Sequence, residues 1–275
     1  MKKNWKKLTF YIAVILLTAL LVIFLFPKAK SPQINHKTEV KKEALTYVAL
    51  GDSLTEGVGD EESEGFVLRL ADDLEKTYPL EVQTKNYGKA GDRSDQITKR
   101  LKANKDEQAM VKKANVITLT VGGNDLLQTL SRNIEEIKPS VLTKARQKYG
   151  ERLTQLYDTI RQYNKKAVIY QLGIYNPFYY DFKYVQDLQK SINQWNSTAE
   201  SIVATQKRSY FIPINDVISK GTEKDQQQTD SSDDLKNHLL SREDYFHPNS
   251  QGYTMMANKV IKEMKATKYQ WWPQK

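Results

Sequence analysis

Five short apolar runs, separated by stretches with helical spacing, constrain the fold of this chain more than any other feature. Thr46–Leu50, Glu81–Tyr87, Val116–Val121, Ala167–Leu172 and Tyr210–Ile214 each read as a strand. Between the first two, Phe66–Lys76 places apolar residues at 66, 67, 70, 71 and 74, the spacing of one helix face. The stretch from about Ser94 to Lys113, the segment reaching about Tyr163, residues 184–206 and Ser250–Ala266 read as further helices. Strands separated by helices pair in parallel through crossover connections, so an open α/β sheet is expected.

A second feature precedes this pattern. Leu8 to Phe26 is a run of nineteen residues whose clearly polar members are Thr9 and Thr18. A helix of that length spans roughly 28 Å, close to the hydrocarbon thickness of a bilayer. Four lysines (Lys2, Lys3, Lys6, Lys7) precede it, and the positive-inside rule leaves them in the cytoplasm. The rival reading is a cleaved signal peptide, which ends in small residues; this run ends in Phe24-Leu25-Phe26-Pro27-Lys28. The expected organisation is a cytoplasmic tail at 1–7, a transmembrane signal-anchor at 8–26, a tether at 27–45 and an extracytoplasmic domain at 46–275. A single-pass protein of the cell membrane is therefore expected.

The formal charge of +9 looks at first like a nucleic-acid signal. Six basic residues in the first thirty positions carry most of it, leaving 36 basic against 33 acidic residues. No nucleic-acid partner is expected from so small an excess. The chain has no cysteine, which excludes disulfides and a lipid-modified cysteine and leaves the domain to be held by its core.

In open parallel sheets, ligands collect beyond the carboxyl ends of the strands. The segments found there are Gly51-Asp52-Ser53-Leu54, then Gly88-Lys89-Ala90-Gly91-Asp92, then Gly122-Gly123-Asn124-Asp125, and, ahead of the last helix, Asp244-Tyr245-Phe246-His247. A serine hydroxyl needs a base to take its proton, and the base needs an orienting acid. Ser53, flanked by turn-forming glycines, is the candidate nucleophile, His247 the candidate base and Asp244 the candidate acid. The N–H groups of Ser53 and Gly91 and the side-chain amide of Asn124 are candidate donors to an oxyanion.

These four segments resemble the blocks of the SGNH, or GDSL-type, hydrolase superfamily, named for Ser, Gly, Asn and His. All four match in order between residues 46 and 265. The chain looks closest to the bacterial YpmR-like lipase/acylhydrolase branch, similar in its N-terminal anchor and its Gly91-Asp92-Arg93-Ser94 block. The resemblance implies a flavodoxin-like three-layer sandwich with a five-stranded parallel sheet and no cofactor. It implies a triad of Ser53, Asp244 and His247 and an oxyanion hole of Ser53, Gly91 and Asn124. Arg93 departs from the pattern, since many members have threonine there, and the departure bears on the adjoining pocket wall.

Plainer roles compete at each position. Ser53 and Asn124 are also suitable helix caps and Gly91 a suitable turn glycine. His36 lies in the tether, and His238 lies beside a polar stretch, Thr222–Asp234, that reads as a surface excursion. Asp233 and Asp234 read as solvated charge. Asp52 and Asp125 read as acids bonding the backbone of their own loops. The aromatic run Tyr175–Tyr184 either lines a pocket or packs, and Trp271-Trp272 reads as a docked tail rather than a membrane contact. No cluster has metal-ligand spacing. The expected activity is a serine ester hydrolase working through an acyl-enzyme on lipid acyl esters. The alternatives are an O-acetyl esterase of cell-envelope glycans and a non-catalytic glycan- or lipid-binding module.

Overall fold

The computed structural model describes residues 42–133, 138–180, 185–226 and 237–273. The chain divides into two units, Met1–Val40 and Lys41–Lys275, and the described residues all belong to the second. The expected tail at 1–7, anchor at 8–26 and tether as far as residue 41 lie outside them. Among the described residues, no helix is long and apolar enough to cross a membrane.

The sheet has five parallel strands: β1 (Glu43–Gly51), β2 (Leu80–Gly88), β3 (Val116–Thr120), β4 (Val168–Leu172) and β5 (Ser209–Ile212). Their order is β2-β1-β3-β4-β5, the flavodoxin-like order. β1 opens at Glu43, so residues 43–45 of the expected tether are strand. β5 stops at Ile212 because Pro213 has no N–H to continue a ladder.

Between β1 and β2 lie α1 (Ser53–Glu56) and α2 (Gly65–Thr77); between β2 and β3 lie α3 (Ser94–Ala103) and α4 (Lys105–Lys113). The helix expected from Ser94 to Lys113 is thus two. Asn104 is extended, and its side chain caps α4 by accepting from the N–H groups of Asp106 (3.0 Å) and Glu107 (3.2 Å). α5 (Gly123–Arg132) and α6 (Pro139–Tyr163) precede β4, and α7 (Val185–Thr205) precedes β5. α8 (Asn215–Lys220), α9 (Glu223–Gln226), α10 (Ser250–Ala266) and α11 (Lys268–Trp271) follow.

The period-2 alternation of the strands sends side chains to two cores. On one face Leu45, Tyr47 and Ala49 of β1 meet Phe66 and Leu70 of α2 and Tyr253, Met256 and Val260 of α10. On the other, Val48 and Leu50 meet Ile97 of α3, Leu153 and Tyr157 of α6 and Trp195 of α7. Helices on both faces make the three layers expected. Trp271 is a docked residue, buried with its indole N–H donating to the Met264 carbonyl at 2.8 Å.

Candidate active site

The sheet order reverses at β1, where the loops after β1 and β3 diverge and leave a crevice. Gly51 closes β1 against β3: a Cβ there would lie 2.3 Å from Thr120 Oγ1 and 2.4 Å from Thr55 Oγ1. Asp52 follows as the cap of α1, its Oδ1 accepting from the Leu54 N–H (3.1 Å) and the Thr120 hydroxyl (2.7 Å). Burial raises the Asp52 pKa, and the hydrogen bonds from Thr120 and Leu54 oppose it. Asp52 thus bonds its own loop as expected, with Thr120 a partner that the sequence did not reveal. Ser53 is the first residue of α1, so its N–H has no intrahelical acceptor.

Ser53 and His247 meet across the crevice, with His247 Nε2 2.9 Å from Ser53 Oγ. The other ring nitrogen, Nδ1, is 2.5 Å from Asp244 Oδ2. Asp244 Oδ1 also accepts from the backbone N–H groups of Phe246 (2.9 Å) and His247 (3.0 Å). Burial would raise the Asp244 pKa, but the bond to the His247 ring and these two N–H donors outweigh it and hold the carboxyl below its usual range. The turn itself is closed by Ser241 N–H to His247 C=O (2.8 Å) and Tyr245 N–H to Ser241 C=O (2.9 Å). Gly59, at φ +88°, lets the loop after α1 pack on it, since a Cβ there would come within 2.7 Å of His247 Cβ.

Asn124 lines the cleft beside Ser53, whereas Gly91 is an exposed residue of the loop after β2 and is not among the cleft's lining residues. Gly91 has φ +80°, and a Cβ would meet nothing within 4 Å, so the backbone angle rather than space calls for glycine. Asn124 Nδ2 donates to the Asp92 carbonyl at 3.0 Å, which uses one amide hydrogen and leaves the other. Asp125 corrects an expectation. It bonds the neighbouring loop rather than its own backbone, accepting from Ser94 N–H (3.0 Å) and Ser94 Oγ–H (2.7 Å). Arg93 turns away to Asp95 (3.1 Å) and is not among the residues lining the cleft. Beneath this loop, Arg100 meets Asp92, Glu107 and the Gly51 carbonyl. Burial pushes Glu107 up to about 7, against the charge of Arg100.

A cleft of about 50 Å³ opens beside Ser53, walled by Val121, Leu127, Ile174, Tyr175, Pro177 and Phe246. The aromatic run therefore does both things expected of it. Tyr175 lines the cleft and donates its hydroxyl to the Phe246 carbonyl (2.6 Å), while Tyr180 packs away and donates to the Lys220 carbonyl (2.7 Å). Phe182 and Tyr184 lie outside the described residues. His238 is bonded through Nδ1 to Asp225 and takes no part with Ser53. That pair corrects the surface reading of Thr222–Asp234 in part, because Asp225 is fully buried, accepting also from the Thr222 N–H (2.8 Å). Residues 227–234, with Asp233 and Asp234, lie outside the described residues.

The GDSL-like Lipase/Acylhydrolase family model matches residues 49–255, from β1 into α10. The chain is 32% identical over 253 residues to the uncharacterized protein YpmR of Bacillus subtilis (strain 168), covering 92% of each chain. It is 30% identical to the spore germination lipase LipC of Bacillus licheniformis over 223 residues, 78% of this chain and 94% of that one. The crystal structure of the lipase Lip_vut3 from a goat rumen metagenome matches with a TM-score of 0.66 at 30% identity, over 79% of this chain and 96% of that one. The chain belongs to the GDSL-like lipase/acylhydrolase family and is a serine ester hydrolase.

Proposed function

We propose that the chain hydrolyses carboxylic esters through an acyl-enzyme on Ser53, and does so outside the cytoplasm while held to the membrane by residues 8–26. The observation that carries the chemistry is the hydrogen-bonded series Ser53 Oγ, His247, Asp244, at 2.9 Å and 2.5 Å. Ser53 Oγ attacks the ester carbonyl as His247 Nε2 takes its proton, and the carbonyl π electrons move to the oxygen. The oxyanion is met by the N–H groups of Ser53 and Gly91 and the free amide hydrogen of Asn124. Collapse breaks the bond to the alcohol, which leaves with the proton from His247. Water then repeats the cycle: it gives a proton to His247, attacks the acyl carbon and releases the acid, while Ser53 regains its proton. Asp244 holds the ring so that Nδ1 keeps its hydrogen and Nε2 is free to accept.

Labelling with a fluorophosphonate tests the nucleophile. Wild-type protein is expected to label and Ser53→Ala not to; equal labelling of the two would end the proposal. The apolar run and its four preceding lysines support the location. Protease added to intact cells with a permeable outer envelope is expected to degrade the domain, and a protected domain would refute export.

The size of the cleft favours a second reading of the substrate. About 50 Å³ is enough for a short acyl group, while a longer chain would have to run out through the open side of the cleft. An O-acetyl ester on a cell-envelope glycan has that chemistry. A panel of acetyl, medium-chain and long-chain esters, run against wild type and Ser53→Ala, separates the two substrate classes.

A further inference from the structure

Three loops must hold a fixed spacing if the N–H groups of Ser53 and Gly91 and the amide of Asn124 are to converge on one oxygen. They follow three different strands, and among the described residues the backbone joins the first two at Lys89 N–H to the Gly51 carbonyl (3.0 Å). Several side chains bridge pairs of these loops, among them Asp125 to Ser94 and Asn124 to Asp92, and one of them, Arg100, does so with a charged fork. Arg100, on α3, donates from Nε to Asp92 Oδ2 (3.0 Å), from Nη1 to Glu107 Oε1 (3.0 Å) and from Nη2 to the Gly51 carbonyl (3.3 Å). Gly51 lies two residues before Ser53, and Asp92 directly follows Gly91. The third loop is reached through the same residue, because the Asp92 carbonyl accepts the Asn124 amide at 3.0 Å.

The chemistry of these contacts suits a fixed frame. Both carboxylates are buried, Asp92 with 7% and Glu107 with 0% of the side chain exposed, while Arg100 keeps 20%. A planar guanidinium presents its donors in a rigid fork, so three acceptors bound together define its plane and, through it, one another's positions. A lysine ammonium at this position offers one point charge and has no such plane. Glu107 comes from α4 and touches none of the three loops; its contact holds Arg100 in place.

We propose that Arg100, held by Glu107, is a positioning residue that sets the spacing of the oxyanion donors. The inference rests on the reading of Gly91 and Asn124 as those donors. Arg100 is not among the residues lining the cleft, so the effect of its loss is expected in turnover rather than binding.

The experiment compares wild type, Arg100→Lys, Glu107→Gln, Asn124→Ala and the double variant Arg100→Lys/Asn124→Ala on one short-chain p-nitrophenyl ester. Urea unfolding of each identifies folded protein. Arg100→Lys is expected to lower kcat on the order of 10-fold to 100-fold with KM within about threefold, as displacement of reacting groups by about 1 Å does. Glu107→Gln is expected to lower kcat in the same direction by less. In the Asn124→Ala background the lysine substitution is expected to cost at least about threefold less than it does in wild type, since residues acting through one device are not additive. A role in stability alone would give losses that multiply, and that result overturns the proposal; so does a rise in KM with kcat unchanged. If Arg100→Lys does not fold, Glu107→Gln alone and with Asn124→Ala answers the same question. Failure of wild type to label with fluorophosphonate would remove the hydrolase mechanism and this inference with it. Labelling with additive losses removes this inference alone.

Discussion

Gly59→Ala should disable the enzyme from a residue that touches no reacting atom. The added Cβ would lie 2.7 Å from His247 Cβ, 2.9 Å from the Pro248 carbonyl oxygen and 3.2 Å from Ser241 Cβ. None of these atoms is the end of a flexible side chain, so backbone must move. Restoring an ordinary contact of about 3.5–4.0 Å requires roughly 1 Å of separation between the loop after α1 and the His247 turn. His247 Nε2 and Ser53 Oγ start at 2.9 Å, and a shift of that size carries them past hydrogen-bond reach. Misplacement by about 1 Å costs on the order of 10² in rate. Separately, φ +88° at residue 59 suits glycine, and a Cβ there costs about 1–2 kcal/mol of stability. The assay is kcat and KM on a p-nitrophenyl ester together with the urea midpoint. A folded Gly59→Ala whose kcat stays within about threefold of wild type would show that the turn yields without moving the ring, contrary to this expectation.

Three further outcomes follow from the same geometry. Asp244→Asn keeps an acceptor for the Phe246 and His247 N–H groups but allows the wrong His247 tautomer, so kcat should fall by about 10⁴ with folding intact; a loss under tenfold would sink the assignment. Asn124→Ala removes one proposed oxyanion donor and should lower kcat by about 10²–10³ with little change in KM, and a change confined to KM would contradict the assignment. Asp60 is buried against Arg69 and accepts from Ser250 Oγ–H (2.6 Å) and Gly65 N–H (2.7 Å). Burial would raise its pKa, but these donors bring it from 3.8 to about 2. A depressed carboxyl pKa contributes stability that is present above the unfolded value and lost as pH falls through the folded one, here about 2 kcal/mol lost between roughly pH 4 and pH 2. The stability gap between wild type and Asp60→Asn in urea should therefore narrow over that window, and a constant gap would count against the ion pair.

The strands and the four site loops were legible because both are local signals. β-branched runs mark strand interiors, and the glycines around Ser53, Gly91 and Asn124 mark the turns that end them. The break at Asn104 was also readable, since Asn104-Lys105-Asp106-Glu107 has the form of a cap with acids in the first turn. Long-range partners were not. Nothing near Asp125 in the chain says that its acceptors face Ser94, 31 positions away. Arg100 reads as one more base on a helix, and its bond to Gly51 spans 49 positions. Asp225 sits in a polar stretch, and burial with His238 is a property of the packed fold rather than of composition.

Ser53 and His247 are 194 positions apart in the chain yet share one hydrogen bond. The loop after the first strand is therefore made long before its His247 partner, and a chain interrupted anywhere ahead of residue 247 lacks the proposed base. Ester turnover that depends on this contact is consequently expected to report on the joining of the first strand's loop to the turn ahead of the last long helix. A fluorogenic ester would count the molecules in a refolding mixture that have made this contact, and the lag before its signal would time it.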